Sequence, residues 1–321
     1  MIVSYIIPVF NAKNTLEKCV YSILAQDITD FEIILVDDGS NDGSALLCDK
    51  LSSNNSKIKA FHVKNGGAAR ARNIGLQQSQ GEFIRFVDAD DQIVQGSTKL
   101  MLDAIKKTRC DLIIGGFMEM HSKNIVLPQT GLFSTKDEKN LSQLLQSNTL
   151  LNVLWNKLFR REKIKVYIPE DIRVGEDLFF NASYIKNIQY YACISDVVYI
   201  YNDVDLSLTK MFRSDYINDL IKVDKLRQEM ISDIDSKLVL KLVFLSDVHD
   251  LLCIIYKSKH LSSTEKKQAV NKILYNKYVR KQLKSIKISN ITENKYKILI
   301  WCVKYNVNWV IRILYKINGS R

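Results

Sequence analysis

The stretch "GEFIRFVDADD", residues 81–91, carries an apolar run straight into three carboxylates within four residues, Asp88, Asp90 and Asp91. Phe83, Ile84, Phe86 and Val87 have the composition of a buried strand. The carboxylates behind them repel one another, so the run ends either in a solvated turn or at a place where a cation is held. Neighbouring apolar runs end in a related way. "IVSYII" (2–7) runs into Pro8 and Phe10, "FEIILV" (31–36) into "DDGSNDGS", and "KIKAFHV" (57–63) into Asn65-Gly66-Gly67, with "CDLIIGG" (110–116) as a fifth strand. Between them, "NTLEKCVYSILAQ" (14–26) has helical spacing, with Asn14 and Glu17 set as a capping box, and "ARARNIGLQQSQ" (69–80) reads as a second helix. Strands and helices alternating at this spacing predict an α/β fold, a mostly parallel sheet with helices on both faces. Ligands of such sheets sit beyond the carboxyl ends of the strands, where Pro8, Asp38, Asn65 and Asp88 fall.

The chain has 321 residues, 46% of them apolar and 25% charged, which fits a packed globular protein. Cys19, Cys48, Cys110, Cys193, Cys253 and Cys302 are scattered with no CxxC pair, a pattern of reduced core thiols in a cytosolic protein. "MIVSYIIPVF" has no basic leader and no cleavage site, so it reads as a first strand. No apolar run reaches the ~18 residues that a spanning helix needs.

The net charge of +11 is uneven: residues 251–321 hold 16 Lys or Arg against Glu265 and Glu293, a local +14, leaving −3 for the first 250 residues. The grammar changes too. "SDYINDLIKVDKLRQEM" and "SKLVLKLVFLSDVHDLLCIIYKSKH" space their apolar residues by three and four, predicting helices. The expected division is therefore residues 1–212 and a basic helical region, residues 213–321. The last segment, "YKILIWCVKYNVNWVIRILYK", interleaves Trp301, Tyr305, Trp309 and Tyr315 with Lys297, Lys304, Arg312 and Lys316. Such a helix either lies on an anionic membrane surface or packs on the protein with its lysines in water; the expectation is membrane association.

Five ordered motifs, "VSYIIPVFNAKNTLEKCVYSILAQ", "FEIILVDDGSNDGS", "NGGAARARNIGL", "GEFIRFVDADD" and "VGEDLFFNASYI", resemble the family 2 glycosyltransferases of GT-A fold over about residues 2–210. A lone D-x-D would say little; the ordered set is specific. The resemblance implies inverting transfer from a UDP-sugar to a glycan hydroxyl, with Mn²⁺ or Mg²⁺. It assigns Pro8 and Phe10 to the base pocket, Asp38 to the uracil imide, and Asn65 and Arg72 to the uridine portion. Asp88 would hold the ribose and Asp90 the metal. In "GED", Asp177 would be the catalytic base, supported by Glu176. "WNKLFRR" adds Trp155 and Lys157 as possible substrate contacts. Arg70 departs from the small residue usual at its position. The resemblance further implies a lipid-linked acceptor in capsular or other cell-surface polysaccharide synthesis, at the cytoplasmic face of the membrane.

Bland readings stand beside these. Asp38 would equally cap the next helix, Glu176 and Asp177 would suit any helix N-terminus, and Arg72 would pair with an acid. Among rival functions, a dinucleotide-binding oxidoreductase lacks its G-x-G-x-x-G after the first strand. A nucleic-acid binder is argued against by charge confined to the far end. The remaining alternative is a non-catalytic GT-A-like partner subunit, and the helical tail would also serve a homodimer.

Overall fold

The computed structural model describes residues 2–146, 150–202, 213–258, 260–305, 307 and 310. The strands are β1 (Val3–Val9), β2 (Phe31–Asp37), β3 (Ile58–His62), β4 (Phe83–Phe86), β5 (Gln92–Ile93), β6 (Leu112–Glu119), β7 (Ile125–Val126), β8 (Gly131–Ser134), β9 (Lys157–Arg160) and β10 (Tyr190–Tyr201). The helices among them are α1 (Leu16–Leu24), α2 (Ser44–Asn54), α3 (Ala68–Gln78), α4 (Ser97–Thr108), α5 (Glu138–Gln146) and α6 (Glu176–Ile185). Along the sheet the order is β3-β2-β1-β4-β9-β6-β10-β5. β1, β2, β3 and β4 are parallel neighbours, and β6 runs parallel to β10.

Every residue of β2 is buried, as a parallel strand covered on both faces requires. One cover is α3, where Ala71 packs on Ile34 and Val36. On the opposite face of β1, the Tyr5 hydroxyl is 2.6 Å from that of Thr98 on α4. Successive strand residues point to opposite faces, so Ile6 meets α3 while Tyr5 meets α4. The mostly parallel sheet predicted from the sequence is present as a mixed sheet, with antiparallel additions the pattern did not reveal: β5 and β8 pair on β10, and β7 on β6. β9 enters antiparallel between β4 and β6, and Phe159 brings Phe86 and Phe180 into edge-to-face contact.

The expected capping box at Asn14 and Glu17 does not form. α1 begins at Leu16 after Thr15, which makes no side-chain cap. The preceding loop is held elsewhere: Asn11, Ala12 and Lys13 donate backbone N–H to Ser40 Oγ, Ser44 Oγ and Asp42 Oδ2 at 3.0, 2.8 and 3.0 Å. These bonds fasten the end of β1 to the end of β2 and fix the edge where the candidate site lies. Asp38 does not cap α2 either; Asp42 Oδ1 accepts from the N–H and hydroxyl of Ser44.

The chain divides into two units, Met1–Ile172 with Glu176–Val204, and Arg173–Gly175 with Asp205–Arg321; the expected boundary at residue 212 falls outside the described residues. The second unit is helical as the periodicity predicted: α7 (Tyr216–Met230), α8 (Ile234–Lys257), α9 (Ser263–Leu274), α10 (Lys277–Ser285) and α11 (Asn294–Tyr305). Its core gathers Phe244, Leu252, Ile255, Val270, Leu283, Ile300 and Val303. Ser262 and Glu265 form a full capping box on α9. Trp309, Arg312, Tyr315 and Lys316 lie outside the described residues. Among the described residues no helix is long and apolar enough to cross a membrane.

Gly75 sits in the middle of α3, where alanine ordinarily stabilises a helix by about 1 kcal/mol. Here a methyl group would run into the fully buried Ile6 side chain. Gly75→Ala is therefore expected to lower the unfolding free energy by about 1–3 kcal/mol. Urea denaturation followed by circular dichroism checks the sign, and a raised midpoint would contradict this packing.

Candidate active site

The carboxyl ends of β1, β2, β3 and β4 bring Phe10, Asp38, Asn65 and Asp88 to one edge. Asp38 is buried and turns both oxygens to the N-terminus of α3, accepting the Gly66 N–H at 2.8 Å and the Gly67 N–H at 2.7 Å. Asn65 Nδ2 donates to the Asp38 carbonyl at 3.0 Å. Gly67 has φ +95°, a conformation that favours glycine. Gly66 leaves room for Arg70, whose side chain crosses where a β-carbon would stand and reaches the Lys64 carbonyl at 3.4 Å. Phe10 is exposed and Pro8 half-buried. Together they leave an aromatic ring and an amide facing water beside a buried carboxylate.

Arg72, one turn into α3, joins this edge to α6. Its Nη2 donates to Asp88 Oδ1 at 2.8 Å and its Nη1 to Asp177 Oδ1 at 3.3 Å. The three side chains are 8%, 27% and 15% exposed for Arg72, Asp88 and Asp177. Burial disfavours the guanidinium charge, yet Asp177, Asp88 and Glu176 overcome it and hold Arg72 protonated. Asp177 is raised above the usual carboxylate range, first by burial, with Glu176 and Asp88 adding to it and Arg72 and Lys157 opposing. The resemblance assigns Arg72 to the uridine portion, with pairing to an acid as the alternative; in the structure it is paired with two carboxylates. α3 is also tied to the segment ahead of α6, because Asn73 Nδ2 donates to the Ile168 carbonyl at 2.9 Å and its Oδ1 accepts the Ile168 N–H at 2.8 Å.

The three carboxylates of "DADD" have three different surroundings. Asp88 has Arg72. Asp91 is fully buried, accepting the Tyr199 hydroxyl and the Asn202 N–H, each at 2.7 Å. Its pKa is raised by burial first, then by Asp88 and Asp90. Asp90 is exposed at the edge, and loss of some of its water, together with the charge of Asp88, raises its pKa. A wholly solvated turn is thus excluded for two of the three.

The donor set suits a hard cation. Asp90 presents a carboxylate to solvent beside Asp88, and oxygen is what Mg²⁺ and Mn²⁺ take as ligand. Among the described residues no group of three or more His, Cys, Asp or Glu side chains forms a protein cage for a metal.

Trp155 and Lys157 lie deeper than a substrate contact would. Trp155 is 5% exposed and stacks on Tyr199 with ring centroids 4.3 Å apart. Lys157 is fully buried, donating to the Leu150 and Val153 carbonyls, each at 2.5 Å, and to Asn156 Oδ1 at 2.8 Å. Burial pulls its pKa down to about 7, against the opposing charge of Asp177. Asn181 of α6 donates to the Leu151 and Val153 carbonyls at 2.7 and 3.0 Å. Lys157 and Asn181 thus bind the 150–156 loop to the helix that carries Asp177. Asp91, Tyr199, Asn202 and Asn181 were missed in the sequence; only the third carboxylate of "DADD" gave any signal there.

With this geometry in view, the family model described as "Glycosyl transferase family 2" matches residues 4–168. The glycosyltransferase EpsJ of Bacillus subtilis is 29% identical over 218 residues, 65% of this chain and 63% of that protein. The poly(ribitol-phosphate) beta-N-acetylglucosaminyltransferase TarS of Staphylococcus aureus is 28% identical over 204 residues, 62% of this chain and 35% of that protein. The chain thus spans less than two thirds of either relative. A crystal structure of S. aureus TarS 1–349 in complex with UDP-GlcNAc matches with TM-score 0.70 and 18% identity, over 99% of this chain and 89% of that one. The mannosyltransferase PcManGT of Pyrobaculum calidifontis, in complex with GDP-Man and Mn²⁺, matches with TM-score 0.55 and 14% identity, over 96% and 87%. These likenesses are of fold, and the fold is α/β of GT-A type followed by a helical region, as the motif resemblance implied.

Proposed function

The chain belongs to glycosyl transferase family 2, and on that premise we propose that it is a transferase that moves a hexose from a UDP-sugar to a hydroxyl of a glycan acceptor, with inversion. The observation that carries the reading is the Asp88–Arg72–Asp177 arrangement beside the free carboxylate of Asp90. Asp177 takes the proton of the acceptor hydroxyl as the new bond forms; its raised pKa suits it to that work. Glu176 adds negative charge beside it. Arg72 fixes the orientation of Asp177 while holding Asp88 for the ribose. Phe10 and Pro8 flank the base, and Asp38 and Asn65 offer polar contacts to it. Asp90, with Asp88 beside it, would hold Mn²⁺ or Mg²⁺ on the diphosphate. That ion supplies Lewis acidity to the leaving group. The complexes of TarS with UDP-GlcNAc and of PcManGT with Mn²⁺ support the donor class and the metal.

The acceptor we infer is a lipid-linked glycan of a cell-surface or capsular polysaccharide, met at the inner face of the membrane. Support comes from the second unit, in which Lys277, Lys281, Lys284 and Lys287 are exposed along α10 and just past its end. On α11, Ile298, Trp301 and Tyr305 are exposed at helical spacing. Basic and aromatic groups together suit an anionic bilayer surface.

Two outcomes follow. Titration calorimetry should find UDP binding in Mn²⁺ that EDTA or Asp90→Ala abolishes, while Asp177→Asn keeps UDP binding and loses about 10²–10⁴-fold in kcat. UDP binding indifferent to both metal and Asp90 would sink the metal assignment. In flotation assays the protein should follow vesicles containing anionic lipid and stay behind with purely zwitterionic ones; equal behaviour with both would remove the membrane reading.

A further inference from the structure

Behind the exposed edge of "DADD" lies a set of bonds, centred on the buried Asp91 and Tyr199, that no step of the transfer uses directly. The Tyr199 hydroxyl donates to Asp91 Oδ2 at 2.7 Å and accepts the Asp88 N–H at 3.0 Å. The other Asp91 oxygen accepts the Asn202 N–H at 2.7 Å, and Asn202 Nδ2 donates to the Asp90 carbonyl at 3.2 Å. The turn is closed on itself by the Asp91 N–H, which donates to the Asp88 carbonyl at 3.1 Å. On the same carbonyl, the Cys19 thiol donates from 3.4 Å. The Tyr199 ring is fixed in turn by Trp155, stacked at 4.3 Å with an interplanar angle of 14°. Thus the peptide groups on which Asp88 and Asp90 are mounted are gripped from the end of β10.

The chemistry of residue 91 is the informative part. A carboxyl group with no exposed surface, beside two other aspartates, is electrostatically unfavourable. What it gains is two acceptor oxygens on one short side chain, one for the tyrosine hydroxyl and one for a backbone N–H, and asparagine has only one. Such a cost is tolerated where the geometry it enforces is used.

We propose that Asp91, Tyr199 and Asn202 are positioning residues that set the spacing of Asp88 and Asp90 for a divalent cation carried by a nucleoside diphosphate. The proposal rests on the metal reading given above and goes beyond it, because it assigns cation affinity to three side chains that never touch the cation. The grip acts before ligand arrives: the two carboxylates need not be gathered from a mobile turn when the diphosphate enters.

Tyr199→Phe tests this cleanly, since it deletes one oxygen and keeps the ring that Trp155 stacks on. Calorimetry of UDP with the full-length protein would be run in Mn²⁺ and in EDTA, with a thermal melt of each variant alongside. Expected is a loss of about tenfold in UDP affinity in Mn²⁺, recovery as Mn²⁺ is raised, and no binding by wild type or variant in EDTA. Asn202→Ala, which frees the Asp90 carbonyl, should shift the Mn²⁺-dependent affinity in the same direction and carries the test if Tyr199→Phe does not fold. A wild type that binds UDP without regard to Mn²⁺ overturns the metal reading and this proposal with it. A wild type that depends on Mn²⁺, with folded variants whose Mn²⁺ dependence matches it, overturns the positioning role alone. A lowered melting temperature with unchanged Mn²⁺-dependent affinity does the same.

Discussion

A guanidinium shared between Asp88 and Asp177, residues far apart in the chain, is the interaction on which the rest of the site depends. A buried cation is tolerable only when paired, and Arg72 is paired twice. The first partner stands at the end of β4 and the second in the first turn of α6. One side chain on α3 therefore fixes the distance between the group assigned to the nucleotide and the group assigned to the acceptor. Because Asp177 loses water on burial while Arg72 lowers its pKa, the same contact tunes the proposed base as well as aiming it.

The scaffold around this pair is built to keep α3, β4 and α6 in register. α3 is seated on β1 and β2 through Ala71 and the missing side chain of Gly75. β9, inserted between β4 and β6, carries Lys157 and Phe159 into the middle of the unit, with Asn156 buried just before it. Lys157 and Asn181 tie the preceding loop to α6, and Trp155 carries that order on to Tyr199 and so to the back of "DADD". Asp177 and the strand-end edge are thus joined by two routes, one through the buried Arg72 and one through the aromatic layer beneath it.

Much of this was legible because it is local. Strand ends, the helical tail and the acidic clusters are read within a few residues, and the sheet follows from their alternation. What the sequence hid is long-range. Nothing near Arg72 says that its partners are Asp88 and Asp177, and the insertion of β9 depends on pairing with β4 and β6 rather than on its own short run. The capping box at Asn14 and Glu17 failed for a similar reason, since Ser40, Asp42 and Ser44 take over that loop from another strand end. Trp155 and Lys157 read as site residues by motif, yet aromatic stacking and three carbonyl-type acceptors hold them inside. Asp91 was visible as a charge but not as a buried one, because burial is set by Tyr199 and Asn202 far along the chain.

The coupling of the two carboxylates by Arg72 opposes the rise in proton affinity that burial gives Asp177. It is tested most directly by the pH dependence of kcat/KM for sugar transfer in the wild type and in Arg72→Gln. Asp177 accepts a proton only when ionised, and burial raises its pKa, so the acid limb should lie above the ordinary aspartate value of about 3.9. Removing Arg72 removes a stabiliser of the ionised form and should move that limb to still higher pH. An acid limb at the ordinary aspartate value, or one that stays in place when Arg72 is replaced, would contradict the account.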